Sequence, residues 1–279
     1  MLTAELERAH EMRSKKVDYT LISKYYDDTR VPLIQNVLEF YLSKIVDLGK
    51  VSSASMVLDV GCGTGIYTIP LAKKTNALVF GLDSAKEMIK KARMKEDSRR
   101  VEWQIGDAED LPFGNAHFDC AIMTLVIHQI VTKKKAIDEI YRVLKKNGTF
   151  VIVTKSHGQL RRSLIMDFPN TRKIDLKRFP TIPMLKYMLL SADFENARYH
   201  VVSQGTTEVS MEGYLEKIRK KFISTLALLS EEEFQEGLNI FENKLRGKWG
   251  KKDTGNKIIY EKEYTFVVGE KSELNNERN

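Results

Sequence analysis

Three glycines at alternate positions, Gly61, Gly63 and Gly65, follow directly on the apolar run Val57-Leu58-Asp59-Val60. A turn stripped of side chains folds sharply and lets a ligand lie against its amide groups. The spacing narrows the ligand. A dinucleotide fingerprint would place its third glycine one position later, where this chain has Ile66, and Asp59, two residues before the first glycine, would repel a pyrophosphate. No Gly-Lys-Ser/Thr follows, so a P-loop is excluded as well. Asp59 suits a ligand end that carries an ammonium group. A second cluster lies further on, where Arg161, Arg162, Arg172, Lys173, Lys177 and Arg178 face only Asp167 and Asp175 in sequence. Two readings of it stand: a site for an anionic acceptor such as a carboxylate or phosphate, or a solvated basic surface. Phe168, Phe179, Ile182 and Met184 are interleaved there and suit an apolar slot.

These residues need a frame to hold them. Short β-branched runs at 56–60, 78–82, 101–105, 118–123 and 149–154 alternate with helical stretches such as 84–94 and 133–144. That alternation predicts an α/β architecture, a parallel sheet covered on both faces. Ahead of it, 18–46 is helical in pattern, in two apolar groups that Pro32 separates, since proline suits a helix start better than an interior. The last third reads differently. Residues 161–183 look irregular, 184–190 a short helix, and 196–203 and 264–268 two further strands. Between those strands Met211, Tyr214, Leu215, Ile218, Phe222 and Leu226 recur at helical spacing, and a second helix is expected over 231–245. The pair reads as packing on the sheet, as a substrate lid, or as both. With no repeat or flexible linker, one domain is expected over 1–279: a helical cover to 35, a core over 36–157, a basic loop over 158–183, the end of the sheet at 184–205 and 258–270, and a helical insertion over 206–257. The polar residues 270–279 read as frayed.

Composition limits the function classes. With 42% hydrophobic residues in 279 and a formal charge of +7, the chain is neither disordered nor fibrous. Cys62 and Cys120, both in apolar strand-like context, exclude a disulfide-built scaffold and make the cytoplasm the expected compartment. Residues 1–16 lack a continuous apolar stretch, so no secretory leader is expected. The run 118–131 is broken by Asp119, His128 and Gln129 and is too short to span a bilayer. A nucleic-acid partner is permitted by the charge but not favoured.

Taken with its surroundings, Asp59-Val60-Gly61-Cys62-Gly63-Thr64-Gly65 resembles the glycine loop of the class I S-adenosylmethionine-dependent methyltransferases, in their small-molecule, methyltransferase type 11-like branch. Three further segments match in order: Val79-Phe80-Gly81-Leu82-Asp83, Gly106-Asp107-Ala108-Glu109-Asp110, and the strand from Phe118 with the helix and turn Tyr141 to Thr149. The resemblance covers about residues 36–157 and, more faintly, 184–205, where Asp193 replaces a usual glycine. It implies a Rossmann-like three-layer sandwich with a seven-stranded, mostly parallel sheet whose last strand is antiparallel. It also implies S-adenosyl-L-methionine at the C-terminal edges of the first strands. Asp59, Gly61, Cys62, Gly63 and Gly65 would hold its amino-acid end, and Asp83 its ribose hydroxyls, since a carboxylate at a strand end accepts from both hydroxyls of a vicinal diol. The bland reading of Asp83 is a helix cap, a task Ser84 can also fill. Asp107 would meet the adenine amino group. Ser84, Met88, Ala108, Thr124, Leu125 and Tyr25 complete the cofactor-binding set; Tyr19, Tyr25 and Tyr26 read either as a cover over the cofactor or as core.

The resemblance implies methyl transfer, in which the protein mainly positions a nucleophile in line with the methyl group and away from water. If the acceptor is a hydroxyl or an amine, the matching base is His128, whose pKa lies near neutrality; the competing reading is a histidine packed on the following helix. Arg161 and Arg162 are the acceptor-side candidates, for a small or medium acceptor with one acidic group. Rival readings are an RNA, tRNA or protein methyltransferase and a non-catalytic S-adenosylmethionine-binding protein. Met123-Thr124-Leu125-Val126 stands where base-modifying enzymes carry an Asn-Pro-Pro-Tyr-like signature, and two core-like cysteines do not suit arsenic methylation. No metal site is expected. Monomer and homodimer both remain open.

Overall fold

The computed structural model describes residues 17–34, 38–250 and 257–272. The readings made for residues 1–16 and for the tail after 272 lie outside that range. The chain enters through α1 (Tyr19–Ile22), a 3-10 turn (Ser23–Tyr25), α2 (Tyr26–Ile34) and α3 (Leu38–Gly49). It then alternates: β1 (Met56–Val60), α4 (Thr68–Thr75), β2 (Leu78–Asp83), α5 (Lys86–Arg93), β3 (Val101–Ile105), β4 (Phe118–Thr124), α6 (Lys133–Val143) and β5 (Leu144–Thr154). After it come α7 (His157–Arg162), α8 (Thr171–Arg178), α9 (Ile182–Leu190), β6 (Phe194–Ser210), α10 (Met211–Arg219), α11 (Glu231–Trp249) and β7 (Lys257–Lys271).

Among the described residues the sheet has seven strands in the order β3-β2-β1-β4-β5-β7-β6, of which only β7 runs antiparallel to the rest. Period-two alternation along each strand feeds two separate cores. Leu58, Val60, Leu82, Phe118, Ala121 and Met123 point to one face, where Ile137 and Ile140 of α6 and Leu185 and Leu189 of α9 cover them. Val57, Val79, Cys120, Ile122 and Val151 point to the other, under Leu42 and Ile45 of α3 and Leu71 of α4. A third cluster lies apart from these two cores: Phe168 and Ile174 pack with Tyr214 and Leu215 of α10, Phe234 and Phe241 of α11, and Ile258 of β7.

Several expectations change. Residues 161–183 are helical rather than irregular: Ser156 and Gln159 form a capping box that starts α7, and the apolar side chains of Ile165, Met166, Phe168 and Ile174 are buried beneath α10 and α11. Pro32 does not open a helix but lies near the end of α2. Strands β6 and β7 run well past the sheet as a two-stranded ribbon, pairing from Phe194 with Lys271 to Ser210 with Lys257. Glu270 and Lys271, expected to fray, are therefore paired, Glu270 with Thr149 and Lys271 with Phe194. Asp193 adopts φ +62°, the left-handed conformation that favours glycine. Among the described residues no helix is long and apolar enough to cross a membrane.

Candidate cofactor and acceptor site

The C-terminal ends of β1, β2, β3 and β4 open on one cleft, as expected where an open parallel sheet reverses its winding order. At β1 the chain turns sharply, and the amides of Gly61 and Cys62 both donate to the Leu82 carbonyl, at 2.7 and 3.0 Å. Gly61 takes φ +75°, and a Cβ there would meet the Val126 side chain at 2.5 Å. Gly63 takes φ +56° with nothing nearer than Tyr26 at 3.9 Å, so its bare backbone faces the cleft.

Asp83 closes β2 and organises the floor. Its carboxylate accepts from the Gly63 amide and from the Ala85 amide, each at 2.8 Å. Burial pushes its pKa up, while those amide donors pull it back. Ser84, Met88, Asp107, Ala108, Thr124 and Leu125 also line the cleft, as do Gly61 and Gly63. Thr124 Oγ1 is buried there without a hydrogen-bond partner, a polar atom that a ligand can satisfy.

Four residues expected at the cofactor lie elsewhere. Asp59 is buried under the loop and accepts from Thr68 Oγ1 at 2.6 Å; burial pushes its pKa to about 7. Cys62 turns its Sγ toward the Gly63 carbonyl at 3.8 Å, and a Cβ on Gly65 would strike Trp103, so neither faces the cleft. Tyr25 is exposed; its neighbour Tyr26 and Tyr19 line the cleft instead, their rings edge to face at 6.5 Å. The helices bearing them are fastened over the loop. Thr64 Oγ1 donates to Asp27 at 2.5 Å, Asp27 pairs with Lys95 at 2.8 Å, and Lys91 donates to the Ser23 carbonyl.

The acceptor side is also rearranged. Arg161 and Arg162 point to solvent, and Arg162 pairs with Glu263 of β7. Phe168 and Phe179 are buried and Met184 is exposed, so the expected apolar slot does not form. His128 does not line the cleft: it stacks on Phe179 at 3.9 Å, with Nε2 3.0 Å from the Gln129 amide nitrogen. Burial first, then Arg178, Lys133 and Arg30, push its pKa well down, which leaves a neutral ring of low basicity.

Gln129 reaches the cleft, and sequence reasoning missed it. Its Nε2 donates to Ser224 Oγ at 2.8 Å and its Oε1 accepts from Arg178. Arg178 is the one cation of the basic segment turned inward. Its signal was present in the periodicity, since Ile174, Asp175 and Arg178 share the inner face of α8 while Arg172, Lys173 and Lys177 lie outside.

A family model described as a methyltransferase domain matches residues 58–152. The ubiquinone/menaquinone biosynthesis C-methyltransferase UbiE of Citrifermentans bemidjiense is 37% identical over 108 residues, 37% of this chain and 46% of that relative. The chain thus spans less than half the length of that curated relative. A crystal structure from Anabaena variabilis, described as a methyltransferase of an antibiotic biosynthesis pathway, superposes with TM-score 0.64 at 23% identity, covering 82% of this chain and 96% of the other. A phosphoethanolamine N-methyltransferase of Haemonchus contortus, solved with phosphomonomethylethanolamine and S-adenosylhomocysteine, gives TM-score 0.53 at 18% identity over 83% of this chain and 52% of its own. Residues 58–152 thus match the model of a methyltransferase domain, and the sheet that holds them shares the fold of the Anabaena methyltransferase structure.

Proposed function

We propose that the protein transfers a methyl group from S-adenosylmethionine to a small or medium-sized anionic acceptor by in-line displacement, giving S-adenosylhomocysteine, and does so in the cytoplasm. The observation that carries this reading is the union of the bare Gly61–Gly63 turn with the Asp83 carboxylate in one cleft. The residues fit the cofactor: a turn bare of side chains for its amino-acid end, Asp83 for the ribose diol, and Asp107, Ala108 and Met88 beyond it for the base. Bound there, it supplies a methyl group already activated by a sulfonium. Tyr19 and Tyr26 exclude water from above, and Gln129 meets the acceptor where the helical layer closes on the cleft. We assign His128 a supporting part, holding Gln129 rather than taking a proton. The Haemonchus relative carries a phosphate-bearing ligand on the same fold, which is consistent with an anionic acceptor.

The test is equilibrium binding of S-adenosylmethionine, S-adenosylhomocysteine and NAD to the purified chain. Mass spectrometry then follows metabolites that gain the mass of CH2. Micromolar binding of the two sulfur compounds with no NAD binding is expected; preference for NAD would overturn the reading, and binding without turnover on any metabolite pool would favour a cofactor-binding protein.

A further inference from the structure

Arg178 stands apart from every other cation of its segment. Its guanidinium is nearly buried, and its hydrogen bonds go to neutral oxygens: Gln129 Oε1, Thr225 Oγ1 at 3.2 Å and Ser224 Oγ at 3.4 Å. Its one carboxylate partner, Asp175, lies 3.6 Å away, too far for a hydrogen bond, and spends its Oδ1 on Thr225 Oγ1 at 2.5 Å. A second guanidinium, Arg30, lies over the rings of Tyr26 and Phe222. Among the described residues it has no carboxylate partner, and its Nε is buried without a hydrogen bond. Neither guanidinium lines the cleft itself, but each lies directly behind a residue that does: Arg178 donates to Gln129, and Arg30 lies over the Tyr26 ring. The other charges nearby are already engaged. Lys133 donates to the Ile130 carbonyl with Glu109 beside it, and Asp83 is tied to two backbone amides.

Among the described residues, therefore, neither guanidinium has a carboxylate at hydrogen-bond distance, in a place where a buried charge without a close counter-ion is unfavourable. An anion entering past Gln129 balances the charge and takes the place of the neutral oxygens now held by the two terminal nitrogens of the fork. We infer that Arg178, with Arg30 beside it, recognises the acid group of the acceptor, a carboxylate or phosphate monoester, and that the exposed Arg161 and Arg162 do not. This rests on the methyltransferase reading above and names the residue that selects its substrate class.

The experiment measures binding of matched probes to the full chain saturated with S-adenosylhomocysteine: benzoate against benzamide, and phenyl phosphate against phenol. Each anion is expected to bind at least ~10-fold more tightly than its neutral partner, with the better of the two identifying the acid group. Arg178→Met should erase that preference and leave S-adenosylhomocysteine affinity within about twofold, whereas the Arg161→Ala, Arg162→Ala double variant should keep the preference. A preference that survives Arg178→Met, or is missing from the wild type, overturns the inference. So does an equal loss of S-adenosylhomocysteine binding, which would make Arg178 a ligand of the cofactor's own carboxylate. Should Arg178→Met fail to fold, Arg178→Lys decides, because it keeps the charge and loses the fork: a fall of about threefold or more in the phenyl phosphate preference supports the assignment, and no change overturns it. A wild-type chain that takes up no S-adenosylhomocysteine would instead defeat the methyltransferase reading itself.

Discussion

Two aspartates 24 positions apart divide the work at the floor of the cleft. Asp83 lines the cleft and also fixes the glycine turn through the Gly63 amide. Asp83→Ala removes the acceptor for two backbone amides and for the ribose hydroxyls, so S-adenosylhomocysteine binding should weaken by about 1–3 kcal/mol. Calorimetric titration checks this, and an unchanged affinity would remove Asp83 from the site. Asp59 is buried, and its folded-state pKa of about 7 lies above the ordinary value of 3.8. A raised carboxylate contributes stability that is complete below the unfolded value and is lost as pH rises through the folded one. Between about pH 4 and pH 7 the wild type should therefore lose stability relative to Asp59→Asn, which stays neutral and can still accept from Thr68. Thermal melts across that range test it; parallel slopes would show that Asp59 does not titrate there. Sequence placed Asp59 correctly in the chain yet faced it toward the ligand, because spacing alone does not say which side of a strand end a carboxylate takes.

At the level of elements, the turn after β1 separates two kinds of glycine. Both Gly61 and Gly63 have positive φ, so alanine is strained at either, but only at Gly61 would the new methyl collide with Val126. Gly61→Ala should lower stability by roughly 2 kcal/mol or more and abolish cofactor binding, and Gly63→Ala should cost about 1 kcal/mol. Urea titration with calorimetry distinguishes the pair; equal effects would mean that Val126 yields. Strands β1 and β3 match the sequence reading residue for residue, because alternating β-branched runs bounded by turns leave little choice. The segment 161–183 was harder. Its arginines and lysines hide a short apolar stripe, and only the partner helices α10 and α11, distant in sequence, turn Phe168 and Ile174 into core. Gln129 was invisible for the same reason: its partners Arg178 and Ser224 lie 49 and 95 positions away.

Across the whole molecule, the helical layer has a core of its own. Phe241 is fully buried between Phe168 and Tyr214, and Phe241→Ala should cost about 3–5 kcal/mol. Since that cluster is separate from the two cores of the sheet, hydrogen exchange should show α10 and α11 losing protection while β1, β4 and β5 keep theirs. Uniform loss would mean that sheet and helices unfold together. The glycine turn and Asp83 were legible because they lie in contiguous motifs, whereas Gln129, Arg178 and Ser224 are side chains that meet only in three dimensions. The ribbon of β6 and β7 has one more consequence. Ser210 and Lys257 are direct neighbours on its ladder, so the intervening stretch departs and returns through the same doorway. Closing that gap costs nearly the same for a short or a long excursion, since loop entropy grows only with the logarithm of length. A stretch of another length can therefore stand between them at little cost in loop closure, provided that it still covers Phe168 and Ile174.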